Sequence, residues 1–180
     1  MLERCIVKGQ SYLVTGGGSG IGEATAERLI ALGAYVTICG RRAENITQVA
    51  ARLGDRCLAV TADVTQAEDR ADLVRQALAH GGGLDGLVSN AGNMYRAPIA
   101  EFDQDRLLDI FNHNVISGMM LSQLVVPALA ARQGSIVFLG SIHTRRAFPG
   151  AAPYAATKAA LQTLTQVMAA ELGAETVRVN

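Results

Sequence analysis

The sequence predicts an α/β fold in which a doubly wound parallel sheet is covered by helices on both faces. Short β-rich runs alternate along the chain with longer amphipathic segments, which is the order of repeated strand–helix–strand units. A cluster of glycines follows the first β-rich run, and a helical pattern follows the glycines at once. With 180 residues, of which 49% are hydrophobic, we expect residues 1–180 to form a single domain around one core.

The first unit consists of a strand at residues 11–15, a glycine turn and a helix at residues 21–32, which Gly33 ends. In such a unit the glycines let the backbone turn tightly and approach a pyrophosphate at the positive end of the helix. The turn between Gly16 and Gly22 therefore predicts a nucleotide-binding site. A simple glycine-rich turn is the alternative.

The alternation of strands and helices then continues to the end of the chain. We expect strands at residues 35–39, 56–60, 84–89, 135–140 and 177–179, and helices at residues 43–53, 65–80, 103–132 and 154–172. Thr65 and Glu68 have the spacing of a capping box at the start of the third helix. Asp103 is the expected cap of the long fourth helix, in which Pro127 predicts a kink or a break.

Composition argues against several classes of protein. The 16 basic residues balance the 16 acidic residues and form no basic stripe, so we expect no nucleic-acid partner. No run of eighteen apolar residues occurs, so we expect no membrane span. The N-terminus lacks the apolar stretch of a signal peptide, and Cys5, Cys39 and Cys57 lack paired spacing, which favours a cytoplasmic protein with reduced thiols.

The histidines show no metal-ligand spacing, so we predict no metal site. On this basis His80, His113 and His143 are interpreted as structural or surface residues.

Tyr154 and Lys158 lie four residues apart in a predicted helix, so the phenol and the ammonium share one face. A nearby cation stabilises a phenolate, which suits tyrosine for general acid–base chemistry. A lone pair of this kind is usually a solvated surface pair. The catalytic interpretation therefore depends on the motifs that accompany it.

Those motifs occur together and in one order, and through them the chain resembles the short-chain dehydrogenase/reductase family. They are a Thr-Gly-x-x-x-Gly-x-Gly turn from Thr15 to Gly22, then Asn90-Ala91-Gly92, Asn114, Ser141, and Tyr154 with Lys158. The resemblance covers nearly all of the chain. It implies a Rossmann-like fold and hydride transfer between a nicotinamide cofactor and a small carbonyl compound or secondary alcohol. It also implies a homodimer or homotetramer, paired through the helices that contain Asn114 and Tyr154.

The resemblance also implies the catalytic roles. Tyr154 is the general acid and base, and Lys158 holds the nicotinamide ribose and assists Tyr154. Ser141 hydrogen-bonds the reacting oxygen of the substrate. Asn114 bends its helix and anchors a water of a proton relay, although an amide that only satisfies the core is the alternative.

The cofactor expected from the end of the second strand is NADP, with NAD as the alternative. An acidic residue there selects NAD, whereas this chain has Gly40 followed by Arg41 and Arg42, and a guanidinium can bind a 2′-phosphate. A solvated arginine pair would leave the preference open. Asp63 either contacts the adenine or stabilises the turn before Thr65. The expected cofactor-binding residues are Gly16, Gly18, Ser19, Gly20, Ile21, Gly22, Arg41, Arg42, Asp63, Val64, Asn90, Ala91, Gly92, Tyr154 and Lys158.

Chains of the family continue beyond the position of Asn180 into a Pro-Gly turn, a substrate-covering lobe and a seventh strand, and none of these follows Asn180 in this sequence. We therefore expect a sheet that lacks the usual last strand and substrate lobe. The alternative function is a non-catalytic nucleotide-binding or oligomerisation module. Residues 143–150 are expected to line the substrate pocket, but they do not identify the substrate.

Overall fold

The computed structural model describes residues 7–180, which form one six-stranded parallel sheet. The strands are β1 (Ser11–Thr15), β2 (Tyr35–Gly40), β3 (Cys57–Thr61), β4 (Gly86–Ser89), β5 (Ser135–Phe138) and β6 (Arg178–Val179). Their order is β3-β2-β1-β4-β5-β6, and each neighbouring pair is parallel. The sheet thus reverses its winding between β1 and β4, which is the place where open α/β sheets bind ligands.

Helices cover both faces of the sheet, as the sequence predicts. They are α1 (Gly20–Ala31), α2 (Ala43–Leu53), α3 (Ala67–Gly81), α4 (Gln104–Phe111), α5 (Ser117–Ala130) and α6 (Ala152–Leu172). One buried cluster joins α1 and α2 to the sheet, and a larger one joins α3, α5 and α6 to it. Cys39 and Cys57 are free and buried in these clusters, whereas Cys5 lies outside the described residues.

The long helix predicted for residues 103–132 is present as a continuous helical stretch from Gln104 to Ala130 that contains one π turn. Asp103 caps α4 as expected, because its side chain accepts a hydrogen bond from the backbone N–H of Arg106. A π turn at Asn112–Ile116 then separates α4 from α5. The prediction of a break at Pro127 is wrong, since α5 continues through that residue. Pro127 is exposed, so water can satisfy the carbonyl that its missing N–H leaves free.

The capping box predicted at Thr65 is also wrong. Helix α3 begins at Ala67, and its cap residue is Gln66, whose side chain makes no capping hydrogen bond. Thr65 is held instead by Asp63, whose carboxylate accepts hydrogen bonds from the backbone N–H and the hydroxyl of Thr65. The Thr65 hydroxyl accepts a hydrogen bond from the Gln66 side-chain amide, at 3.2 Å, and not from a backbone N–H of α3.

The combined stretch Gln104–Ala130 is long and apolar enough to cross a membrane by length and composition alone. It contains charged residues and so is not a continuous apolar run. A core helix of a soluble protein meets the same criterion, and Leu121, Val125 and Leu129 of α5 lie in the larger buried cluster. The absence of a membrane partner stays a prediction.

Candidate functional site

A cleft of about 570 Å³ opens at the carboxyl ends of β1, β2, β3 and β4. All of the predicted cofactor-binding residues line it except Gly20, Gly22, Tyr154 and Lys158. The residues that do line it are Gly16, Gly18, Ser19, Ile21, Arg41, Arg42, Asp63, Val64, Asn90, Ala91 and Gly92. The cleft therefore brings together the ends of four strands that the sequence analysis treated separately.

The glycine turn forms one end of this cleft. Gly16 and Gly20 have φ angles of 67° and 58°, a backbone region that side chains disfavour. A Cβ on Gly22 would collide with the carbonyl oxygen of Gly16, so α1 packs closely against the end of β1 only because residue 22 is glycine. Ser19 caps α1 without using its side chain, which leaves its hydroxyl and the first N–H groups of α1 available to an anion.

Hydrogen bonds lock the end of β1 to the end of β4 at the reversal of the sheet. The hydroxyl of Thr15 accepts hydrogen bonds from the backbone N–H groups of Asn90 and Ala91, each at 3.0 Å. The Asn90 amide donates to the Thr15 carbonyl at 2.9 Å. Asn90 therefore holds the floor of the cleft in place, in agreement with a structural role.

The turn that carries Asp63 and Val64 is held from the start of α3. The Asp69 carboxylate accepts from the Asp63 N–H at 2.7 Å, and buried Arg70 donates to the Val64 carbonyl at 2.8 Å. Asp63 both stabilises the turn at Thr65 and lines the cleft, so the two interpretations offered by the sequence coexist.

Arg41 reaches across the cleft to His113, a contact that no local sequence pattern reveals. Nη1 of Arg41 lies 3.3 Å from Nε2 of His113, although the residues are 72 positions apart. Partial burial opposes ionisation of Asp63, but the hydrogen bonds from Thr65 and the charges of His113 and Arg41 outweigh it and lower the pKa of Asp63. His113, interpreted from the sequence as a structural or surface residue, forms part of the cleft wall.

Ser141 and Lys158 lie together at a second cavity, of about 370 Å³, beyond the end of β5. Lys158 is buried, and its Nζ donates to the carbonyl of Leu139 at 2.7 Å. Burial lowers the pKa of this ammonium. Because an ammonium has three N–H groups, the bond to Leu139 leaves two for a ligand.

Tyr154 is half-buried and lines neither cavity, but it lies between Lys158 and the segment after β5. Nζ of Lys158 is 5.7 Å from the centre of the Tyr154 ring, and the His143 ring meets the Tyr154 ring edge-on at 5.1 Å. Within residues 7–180 the Tyr154 hydroxyl has no hydrogen-bond partner. It is thus free to bond to a ligand.

His143 connects Ser141 to Tyr154, a second role that the sequence analysis missed. Its Nδ1 lies 3.0 Å from the Ser141 hydroxyl, which also accepts from the His143 backbone N–H. Its Nε2 is buried without a hydrogen-bond partner among the described residues. If Nδ1 carries the hydrogen, Ser141 accepts from His143 and keeps its own hydrogen for a ligand.

Asn114 lies in the π turn and is buried. Its side-chain oxygen accepts from the Asn93 N–H at 2.6 Å, and its amide donates to the Asn93 carbonyl at 2.9 Å and to the Thr157 hydroxyl at 3.0 Å. Thr157 in turn donates to the carbonyl of Tyr154. The Asn114 side chain therefore fixes the loop after β4 to the helix that carries Tyr154, as the core-satisfying alternative requires. Its expected helix bend coincides with the π turn.

Comparison with known proteins agrees with this geometry. A family model described as short chain dehydrogenase matches residues 10–180. The chain is 40% identical over 178 residues to dehydrogenase/reductase SDR family member 4 of Bos taurus, a match that covers 93% of this chain and 62% of the relative. The chain thus spans less than two thirds of the length of that relative.

Solved structures share the fold over almost the whole chain. A 3-ketoacyl-(acyl-carrier-protein) reductase from Brucella melitensis, complexed with NADH, superposes with a TM-score of 0.93 at 31% identity and covers 96% of this chain and 74% of its own. A short-chain dehydrogenase/reductase from Caenorhabditis elegans, solved with cofactor, superposes with a TM-score of 0.90 at 28% identity, covering 97% and 68% respectively.

Proposed function

Because the chain belongs to the short-chain dehydrogenase family, we propose that it transfers a hydride between NADP(H) and a small carbonyl compound or secondary alcohol, with Tyr154 as general acid and base. The observation that carries the proposal is the position of the Tyr154 hydroxyl. It has no protein partner within residues 7–180, while Lys158 and the Ser141–His143 pair lie beside its ring.

The large cleft fits a dinucleotide. Its volume of about 570 Å³ is in the usual range for ligand sites, roughly 300–1,000 Å³. The glycine turn and the start of α1, which no side chain caps, offer N–H groups to a pyrophosphate. The two residues directly after β2 are arginines, not the acidic residue that selects the ribose hydroxyls of NAD. Arg41 at that position supports NADP.

The residues around Tyr154 have complementary tasks in carbonyl reduction. The bound nicotinamide supplies the hydride chemistry. Tyr154 donates a proton to the carbonyl oxygen, and the Lys158 ammonium stabilises the phenolate that remains. Ser141 donates a hydrogen bond to the same oxygen, provided that His143 leaves its hydroxyl hydrogen free. Asn114 holds the backbone at Tyr154 through Thr157.

The test compares wild type with Tyr154→Phe in NADPH oxidation with a panel of ketones and in direct NADPH titration. We expect the variant to lose turnover by at least about a hundredfold, the usual contribution of general acid–base catalysis, and to keep its affinity for NADPH. Tyr12→Phe is a matched control remote from the site, on β1. Turnover retained in Tyr154→Phe would refute the assignment of the acid. NADPH binding without turnover in the wild type would favour the non-catalytic module.

Assembly into a homodimer or homotetramer is a further part of this proposal. Exposed apolar side chains along α4, the π turn and α5 support it, since contiguous exposed apolar surface is characteristic of interfaces. They are Leu108, Ile116, Met119, Met120 and Leu124. Sedimentation equilibrium should give a mass above that of one chain, and a monomer at micromolar concentration would contradict it.

A further inference from the structure

Four charged or titratable groups meet at the edge of the large cleft. Arg41 comes from the end of β2, Asp63 from the end of β3, Asp109 from α4, and His113 from the π turn. The His113 ring connects them, because its Nδ1 lies 3.0 Å from the Asp109 carboxylate and its Nε2 lies 3.3 Å from Arg41. The charges of His113 and Arg41 both act to lower the pKa of the Asp63 carboxyl.

These contacts determine which ring nitrogen carries a hydrogen. A guanidinium can only donate hydrogen bonds, so Nε2 of His113 accepts from Arg41 and the hydrogen resides on Nδ1. Nδ1 donates to Asp109, through its side chain and its backbone carbonyl. A second proton on the ring must therefore reside on Nε2, the nitrogen that faces Arg41.

The two neighbours of the ring act in opposite directions on that second proton. The Asp109 carboxylate favours an imidazolium, whereas the Arg41 guanidinium disfavours it. The His113 side chain is only 13% exposed, but the Asp109 side chain is 60% exposed and Arg41 is exposed, so water and salt screen both effects. A dianion placed beside Arg41 would favour protonation of Nε2 by its charge.

We propose that Arg41 and His113 together form a proton-linked site for the 2′-phosphate of NADP(H), in which His113 gains a proton on Nε2 as the phosphate binds. This inference rests on the proposed function, since it requires that the cleft hold the adenosine half of the cofactor. Two nitrogens 3.3 Å apart can both donate to one phosphate, which offers three acceptor oxygens. His113 is thus a determinant of cofactor preference in addition to Arg41.

The test uses two ligands that lack the nicotinamide, so its readout is binding and not activity. Isothermal titration calorimetry compares 2′,5′-ADP with 5′-AMP, which lacks only the 2′-phosphate, for the wild type and for His113→Gln at pH 6 and pH 8. Glutamine retains an uncharged donor and acceptor but does not titrate. Because a phosphomonoester itself titrates near pH 6, the informative quantity is the ratio of the wild-type affinity to the variant affinity at each pH.

We expect the wild type to bind 2′,5′-ADP about tenfold more tightly than His113→Gln at pH 6, the effect of one charge-assisted hydrogen bond. At pH 8 the ratio should fall below about threefold, because a proton is then less readily taken up from solution. The affinity for 5′-AMP should be equal in the two proteins at both pH values. A wild-type-to-variant ratio that does not depend on pH would overturn the proposal.

A second measurement needs only the wild type. Titrations at pH 7 in buffers of different ionisation enthalpy give the number of protons exchanged on binding. His113 predicts net proton uptake with 2′,5′-ADP relative to 5′-AMP, whereas a phosphate bound by Arg41 alone releases protons. Net release would overturn the role of His113. Tight binding of 5′-AMP without a gain from the 2′-phosphate would overturn the NADP site alone, and failure to bind either nucleotide would overturn the proposed function with it.

Discussion

Replacing Asn114 by leucine removes the three hydrogen bonds that connect the π turn to the loop after β4 and to α6. Each such bond contributes about 0.5–1.5 kcal/mol net. Thr157 keeps its bond to the Tyr154 carbonyl and Asn93 is partly exposed, so water limits the loss. We expect the free energy of unfolding to fall by about 2–3 kcal/mol, equivalent to a melting temperature roughly 5–10 °C lower for a chain of this size. Urea titration followed by circular dichroism measures the first quantity, and calorimetry measures the second.

Two control variants separate this hydrogen bonding from shape and location. Asn114→Asp keeps the shape but replaces a donor by a carboxylate oxygen facing the Asn93 carbonyl, so it should destabilise the protein at least as much. Asn112→Leu alters the same π turn at a side chain that makes no hydrogen bond within residues 7–180, and it should change stability by less than about 0.5 kcal/mol. If Asn114→Leu were as stable as Asn112→Leu, the amide would not be what holds the turn.

Two further substitutions test the glycine turn and the histidine beside the tyrosine. Gly22→Ala places a Cβ against a backbone carbonyl, so we expect dinucleotide affinity to fall more than about tenfold and stability to fall by about 1–3 kcal/mol. Gly173→Ala, which has open space at its Cβ, is the control and should change neither affinity nor stability. Wild-type affinity of Gly22→Ala for NADPH would contradict the importance of the close contact. His143→Phe keeps a ring against Tyr154 but removes the nitrogen beside Ser141, so kcat/KM for ketone reduction should fall about fivefold to tenfold, near 1 kcal/mol. His143→Asn should recover part of the loss, and a phenylalanine variant with the activity and pH profile of the wild type would show that the nitrogen does not direct the Ser141 hydroxyl.

Local sequence patterns predicted most of the fold, because strand and helix signals depend on near neighbours. Helix α2 has the predicted bounds, Ala43–Leu53, and β2 extends one residue beyond the prediction to Gly40. The start of α3 was wrong for a local reason as well. The Thr65 hydroxyl donates to the Asp63 carboxylate behind it and accepts from the side chain of Gln66, not from a backbone N–H of the helix ahead.

The π turn before α5 could not be predicted from near neighbours. A proline can be read directly from the sequence, but the side chain of Asn114 in the π turn bonds to Asn93 and Thr157, which lie 21 and 43 positions away. The sequence motifs did locate Asn114 as a special residue. They did not show that both N–H groups of its amide are bonded, to Asn93 and to Thr157.

In the candidate site, too, local motifs were predicted from the sequence and contacts set by the tertiary structure were not. The glycine turn and the Tyr154–Lys158 pair are continuous motifs, so sequence reasoning found them. The partners of Arg41 and Ser141 were missed for different reasons. His113 is distant in sequence, and His143 lies two residues from Ser141 in a turn whose geometry has no sequence signature. Both histidines make hydrogen-bond contacts, and metal-ligand spacing in the sequence gives no information about such contacts.

Two consecutive side chains of the π turn point in different directions, His113 toward Arg41 at the edge of the large cleft and Asn114 toward Thr157 in the helix that carries Tyr154. A regular helix separates neighbours by a fixed rotation, and an inserted residue changes that phase for everything that follows. Insertions or deletions in this stretch would therefore displace the His113–Arg41 contact and the Asn114–Thr157 contact together. Under the proposed function, efforts to switch the preferred coenzyme are better directed at the residues after β2, which make none of the contacts of Asn114.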